Sequence, residues 1–154
     1  MGFEKVYKVM EDYPIPFLVP PVLIFVAIDI YASINPFFIV TFSVPTIIFV
    51  HFFLVTLKKI FKIERRNRDK QRGVHKYSFP SYHAGMGTCF CTIQSLIFPL
   101  TAPIMVALIF VTAIGRVRLD LHDWKEVLSG ILFVIPVVFI FYLSISSFFS
   151  ITQI

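Results

Sequence analysis

The residues best equipped for chemistry in this sequence are two histidines, His83 and His122, each set among groups that favour an anion. Glu126 follows His122 by four residues at the opening of an apolar run. On a helix that spacing lets the carboxylate reach the imidazole, hold its tautomer and favour the cationic form, which is the arrangement of a nucleophile with its orienting group. Arg116, upstream in the same polar stretch Gly115 to Glu126, supplies a planar and permanent cation for phosphate oxygens. Without that chemistry the stretch is a charged turn with a helix salt bridge.

His83 stands in Phe79-Pro80-Ser81-Tyr82-His83-Ala84-Gly85, which reads as a helix start with Pro in the first turn and a Ser able to cap. Free backbone N–H groups and the helix dipole make such a start an anion site, and His83 beside it could deliver or remove a proton. A capped span with an interfacial histidine is the plainer alternative. A third cluster, Leu57-Lys58-Lys59-Ile60-Phe61-Lys62-Ile63-Glu64-Arg65-Arg66, places cations at the end of an apolar run. Alone, it reads as a topology determinant or an anionic-lipid contact. The plain readings strain when asked to explain all three clusters on one membrane face.

The elements that must position these residues are membrane helices. Of the 154 residues, 57% are hydrophobic and 15% charged, with a mean hydropathy of +0.83, more apolar surface than a soluble domain of this length can bury. A bilayer core needs about 20 apolar residues per helix. On that ruler the chain is all-α, a polytopic bundle of five transmembrane helices at Ile15–Ile34, Pro36–Leu57, Pro80–Phe98, Leu100–Ile114 and Val127–Phe149. The fourth is the shortest and the one whose depth is in question. Before them, Phe3, Val6, Tyr7 and Met10 recur at helical spacing opposite Glu4, Lys5, Lys8 and Glu11, as in a short amphipathic interfacial helix or else a frayed tail. The acidic residues of that segment fit no secretory signal, so the first span is expected to be retained. One membrane domain, residues 1–154, accounts for the whole chain. Cys89 and Cys91 sit inside an apolar run and read as packing residues.

With five crossings, the three clusters fall on one side of the membrane together with all 14 Lys and Arg residues. The positive-inside rule assigns that side to the cytoplasm of a cell-membrane protein. Asp29 and His51 are the plainly ionisable residues inside the proposed spans, too few for a transport path, and no role falls to His51.

In order, the clusters resemble the three-part signature of the type 2 phosphatidate phosphatase and vanadium haloperoxidase superfamily: Lys-x6-Arg-Pro, then Pro-Ser-Gly-His, then Ser-Arg-x5-His-x3-Asp. Lys58 and Arg65 keep the first spacing, Pro80, Ser81 and His83 match the second motif, and Arg116, His122 and Glu126 keep the third. Lys59 with Arg66 offers the same spacing one residue later, and Phe61 favours the earlier register. The motif-bearing part is 57–130. Arg66 stands for the motif's Pro, Tyr82 for Gly, Gly115 for Ser and Glu126 for Asp, and the family's usual core has six spans. Gly in the second motif allows close approach of phosphate, so Tyr82 must turn its ring away or occupy part of the pocket.

The resemblance implies a lipid-phosphate phosphatase, a hydrolase of phosphatidate-type or isoprenyl-type phosphates working through a phosphohistidine. Lys58, Arg65, Ser81, Arg116 and the backbone at Tyr82 would hold phosphate, His122 would attack, Glu126 would steady it and His83 would move protons. No metal or cofactor is required. The expected partners are membrane lipids, met by lateral diffusion, and no nucleic acid. The alternative is a degenerate relative that binds lipid phosphate, or a structural membrane partner. The retained charged groups argue against it, because a decaying site loses expensive charges first.

Overall fold

The structure is a computed structural model that describes residues 36–64, 76–118 and 122–151. Contacts divide the chain into two units, Met1–Ile39 and Val40–Ile154, and the second holds every site residue treated below. Among the described residues, four helices follow one another: α1 (Pro36–Phe61), α2 (Tyr82–Ile97), α3 (Ala102–Arg118) and α4 (Trp124–Ile151). A 3-10 turn at Pro99–Thr101 leads into α3. An isolated antiparallel bridge joins Glu64 and Tyr77.

α1 begins with Pro36, where a missing N–H costs nothing. Its end is closed by Lys62, which takes the left-handed conformation (φ 52°) and donates its N–H to the Lys58 carbonyl at 3.1 Å. The chain then leaves for the polar loop through a tied base. Ser78 N–H donates to the Ile63 carbonyl at 2.8 Å, and Lys76 pairs with Glu64 at 3.0 Å. A hydrogen bond to Glu64 holds the exposed Lys76 ammonium above its ordinary range. That pair is surface-screened and contributes little energy. The backbone bonds are what join the two ends of the loop.

α2 is the centre of the packing, since it lies against both α3 and α4 while those two touch far less. Its close approach to α4 requires glycine. A Cβ on Gly130 would stand 2.5 Å from the Ser81 carbonyl oxygen and 3.2 Å from Gly85 N. One on Gly85 would stand 2.7 Å from a Leu54 methyl of α1. Ser81, Gly85 and Cys89 repeat at four-residue intervals, the small-residue stripe by which helices approach in lipid, where no hydrophobic effect draws them together. Farther along the helices, α1 and α4 meet through Phe42 with Tyr142 and Phe49 with Phe141, ring centroids 5.5 and 5.1 Å apart.

Among the described residues, three helical stretches are long and apolar enough to cross a membrane: Pro36–Phe61, Pro99–Arg118 and Trp124–Phe149. Their outer surfaces expose Phe52, Ile104, Phe110, Leu132, Ile140 and Phe148, as a lipid-solvated bundle must. The fourth expected span is therefore not the short one. Helix continues through Gly115 to Arg118 because the Arg116 and Arg118 side chains can snorkel and the last turn favours cations. The short helix is α2, with 16 residues, cut off by Pro99, which disfavours helical backbone in the residue before it. The expected first span, Asp29 and the amphipathic segment lie outside the described residues.

Candidate active site

α4 opens with a reciprocal cap. The Asp123 carbonyl accepts from the N–H groups of Glu126 and Val127 at 3.0 and 3.1 Å, and Glu126 Oε2 reaches back to accept from Asp123 N–H at 3.2 Å. The same oxygen lies 2.8 Å from Nδ1 of His122, whose side chain is 0% exposed. An ionised carboxylate only accepts, so Nδ1 carries the proton of this bond. Helix capping and imidazole orientation thus use one carboxyl group. The Ser78 hydroxyl lies between two acceptors, the Glu126 carboxylate and the Ile63 carbonyl at 3.2 Å, and shares its one proton between them.

Lys58, in the last turn of α1, is only 3% exposed, whereas Lys59 is exposed. Its Nζ donates to the Tyr77 carbonyl at 2.7 Å and the Ser78 carbonyl at 3.3 Å, which makes burial of the ammonium tolerable. Arg65 lies outside the described residues. Arg116, expected in a loop, is in the last turn of α3, half-buried and three positions from the segment leading to His122.

Ser81 precedes α2 in extended conformation (φ −69°, ψ 111°). Its N–H donates to the Glu126 carbonyl at 2.9 Å and its carbonyl accepts from Gly85 at 3.0 Å, so this residue pins the start of α2 to the start of α4. Two expectations change here. The Ser81 side chain makes no cap, and Pro80 precedes the helix instead of occupying its first turn. The long-range bond from Ser81 N–H to α4 fixes the residue and leaves its hydroxyl 0% exposed with no hydrogen-bond partner among the described residues. A buried hydroxyl in that state costs about 1–3 kcal/mol, and an anion at the helix start would relieve it. Ser81→Ala should therefore leave thermal stability unchanged or higher by about 1 kcal/mol. It should also weaken orthovanadate binding about tenfold, a charge-assisted bond's contribution, measured by calorimetry on the purified protein.

His83 lies in the first turn of α2 with both ring nitrogens withdrawn from solvent. Tyr82 turns its hydroxyl to Nδ1 of His51 on α1, 2.8 Å away. Of the two courses open to its side chain, it thus takes the one directed at α1. Hydrogen bonds link Lys58, Ser78, Glu126, His122 and Ser81 into one connected group, with His83 two residues along. Ser78 escaped sequence reasoning, and His51 was singled out there as ionisable but given no role. For Ser78 nothing in the sequence marks the contact, while an ionisable residue in an apolar run was a usable sign for His51. Asp123-x-x-Glu126 was a readable capping signature.

A family profile described as the PAP2 superfamily matches residues 26–149. The chain belongs to the PAP2 superfamily, whose members are in general phosphatases, and its long apolar helices make it a membrane phosphatase in broad class. No curated protein and no solved structure matches it.

Proposed function

We propose that this protein hydrolyses the phosphate of a membrane lipid, phosphatidate-type or isoprenyl-type, through a phosphohistidine on His122. The observation that carries the reading is the buried His122–Glu126 pair at 2.8 Å, tied through Ser81 to a helix start with an unpartnered hydroxyl. Lys58, Arg65, Arg116, Ser81 and the first-turn N–H groups of α2 neutralise the phosphoryl oxygens as charge develops. Nε2 of His122 attacks phosphorus, the bond from phosphorus to the lipid oxygen breaks, and protonated His83 gives that oxygen its proton. Water then attacks the phosphohistidine as His83 takes its proton, the phosphorus–nitrogen bond breaks, and inorganic phosphate leaves. Every proton is accounted for by His83, and each step runs without a metal.

A lipid substrate is supported by position: the site lies at the end of helices that expose apolar surface, where a bilayer around them would bring headgroups. The clustering of cations at that end supports a cytoplasmic site in the cell membrane. The test is phosphate release by detergent-purified protein from phosphatidate and from an isoprenyl diphosphate, with and without chelator, beside a His122→Ala control. Release that the control loses supports the reading. No release from either lipid, with binding retained, supports a phosphate-lipid binder instead.

A further inference from the structure

His51 is an imidazole on the exposed face of α1, inside a stretch long and apolar enough to cross the membrane. Polar groups are costly there, and since His51 is exposed, an apolar residue could replace it without leaving a hole in the core. What His51 does have is a 2.8 Å bond from Nδ1 to the Tyr82 hydroxyl, across 31 positions of sequence. Its ring meets the Tyr82 ring edge to face, centroids 5.7 Å apart at 88°. The Tyr82 ring meets His83 in the same way, at 5.7 Å and 89°. Tyr82 is half-buried between the two imidazoles, so a bond at its far end fixes the plane against which His83 rests.

We propose that His51 is a positioning residue: by holding the Tyr82 hydroxyl it fixes the Tyr82 ring, and the ring fixes the imidazole plane of His83. This rests on the reading above, in which His83 carries the protons. Proton transfer requires the donor nitrogen within hydrogen-bond reach and in line with the lipid oxygen. A tyrosine ring free to rotate would let His83 swing out of that alignment. His51 touches neither substrate nor phosphate in this scheme and acts only through Tyr82.

The test combines kinetics with a direct view of the imidazole. In phosphate release, His51→Phe and Tyr82→Phe should each lower kcat about tenfold with KM unchanged, part of what a general acid supplies. The double variant should be no slower than either single one. His51→Gln, which keeps a hydrogen-bonding atom for the tyrosine, should recover most of the rate. Independently of turnover, nuclear magnetic resonance of isotope-labelled histidine should show the His83 ring signals shifted in both single variants. Unchanged kcat, additive losses, or a risen KM with intact kcat would overturn the proposal. If the wild-type protein releases no phosphate, the resonance measurement still decides: His83 signals unmoved in both variants would overturn it, and shifted signals would support it while the phosphatase reading failed.

Discussion

Replacing His122 with Ala is expected to abolish phosphate release, lowering turnover at least about 10³-fold, while the protein still folds and binds phosphate lipid. The two effects separate because of how Glu126 is used. Its carboxylate also accepts from Asp123 N–H at 3.2 Å and meets Ser78, so the α4 cap survives loss of the imidazole. Loss of one charge-assisted bond costs about 1.5–3 kcal/mol, a moderate fall in thermal midpoint. Glu126→Gln keeps the shape and removes the charge that fixes the Nδ1 proton, and it should slow release about 10²-fold or more. A brief reaction with phosphorus-labelled lipid, quenched in alkali, should trap an acid-labile label on the wild-type protein and none on His122→Ala. Label on another residue, or turnover retained by His122→Ala, would sink the assignment.

Gly130→Ala is expected to cost about 2–3 kcal/mol and to remove activity although the residue is on no reacting atom. The added methyl would stand 2.5 Å from the Ser81 carbonyl oxygen, and a backbone atom cannot rotate away. The helices must part, which breaks the bond from Ser81 N–H to the Glu126 carbonyl and separates the start of α2 from the His122–Glu126 pair. Gly87→Ala is the comparison. There a Cβ meets only a Thr112 methyl at 3.9 Å, so the change should raise stability by about 0.5–1 kcal/mol through helix propensity alone. Thermal midpoints of the two variants beside wild type decide it, and equal midpoints would mean that the crossing is looser than it stands.

The candidate site was legible where its geometry is local. His122 and Glu126 lie four apart on one helix turn, so the spacing itself predicts the 2.8 Å contact. What depends on distant backbone was not legible. Ser81 was read as a capping residue because local propensity favours it, but the carbonyl of Glu126, 45 positions later, fixes its N–H and strands its hydroxyl. The burial of Lys58 follows from the return of Tyr77 and Ser78 across the loop base, which no periodicity announces. Likewise the helix class and three of the apolar stretches followed from composition, whereas the true extents of α2 and α3 turned on Pro99 and on how far helix runs past Gly115.

The shortness of α2 bears on the membrane around it. Sixteen residues rise about 24 Å, against an apolar layer about 30 Å thick. Packed among longer helices, α2 stops about 6 Å short of the layer they span, so one of its ends is recessed within the bundle. On the lipid-phosphate reading, a headgroup would have to descend into that recess to reach Ser81 and His83, and bilayer thickness would control how readily it does so.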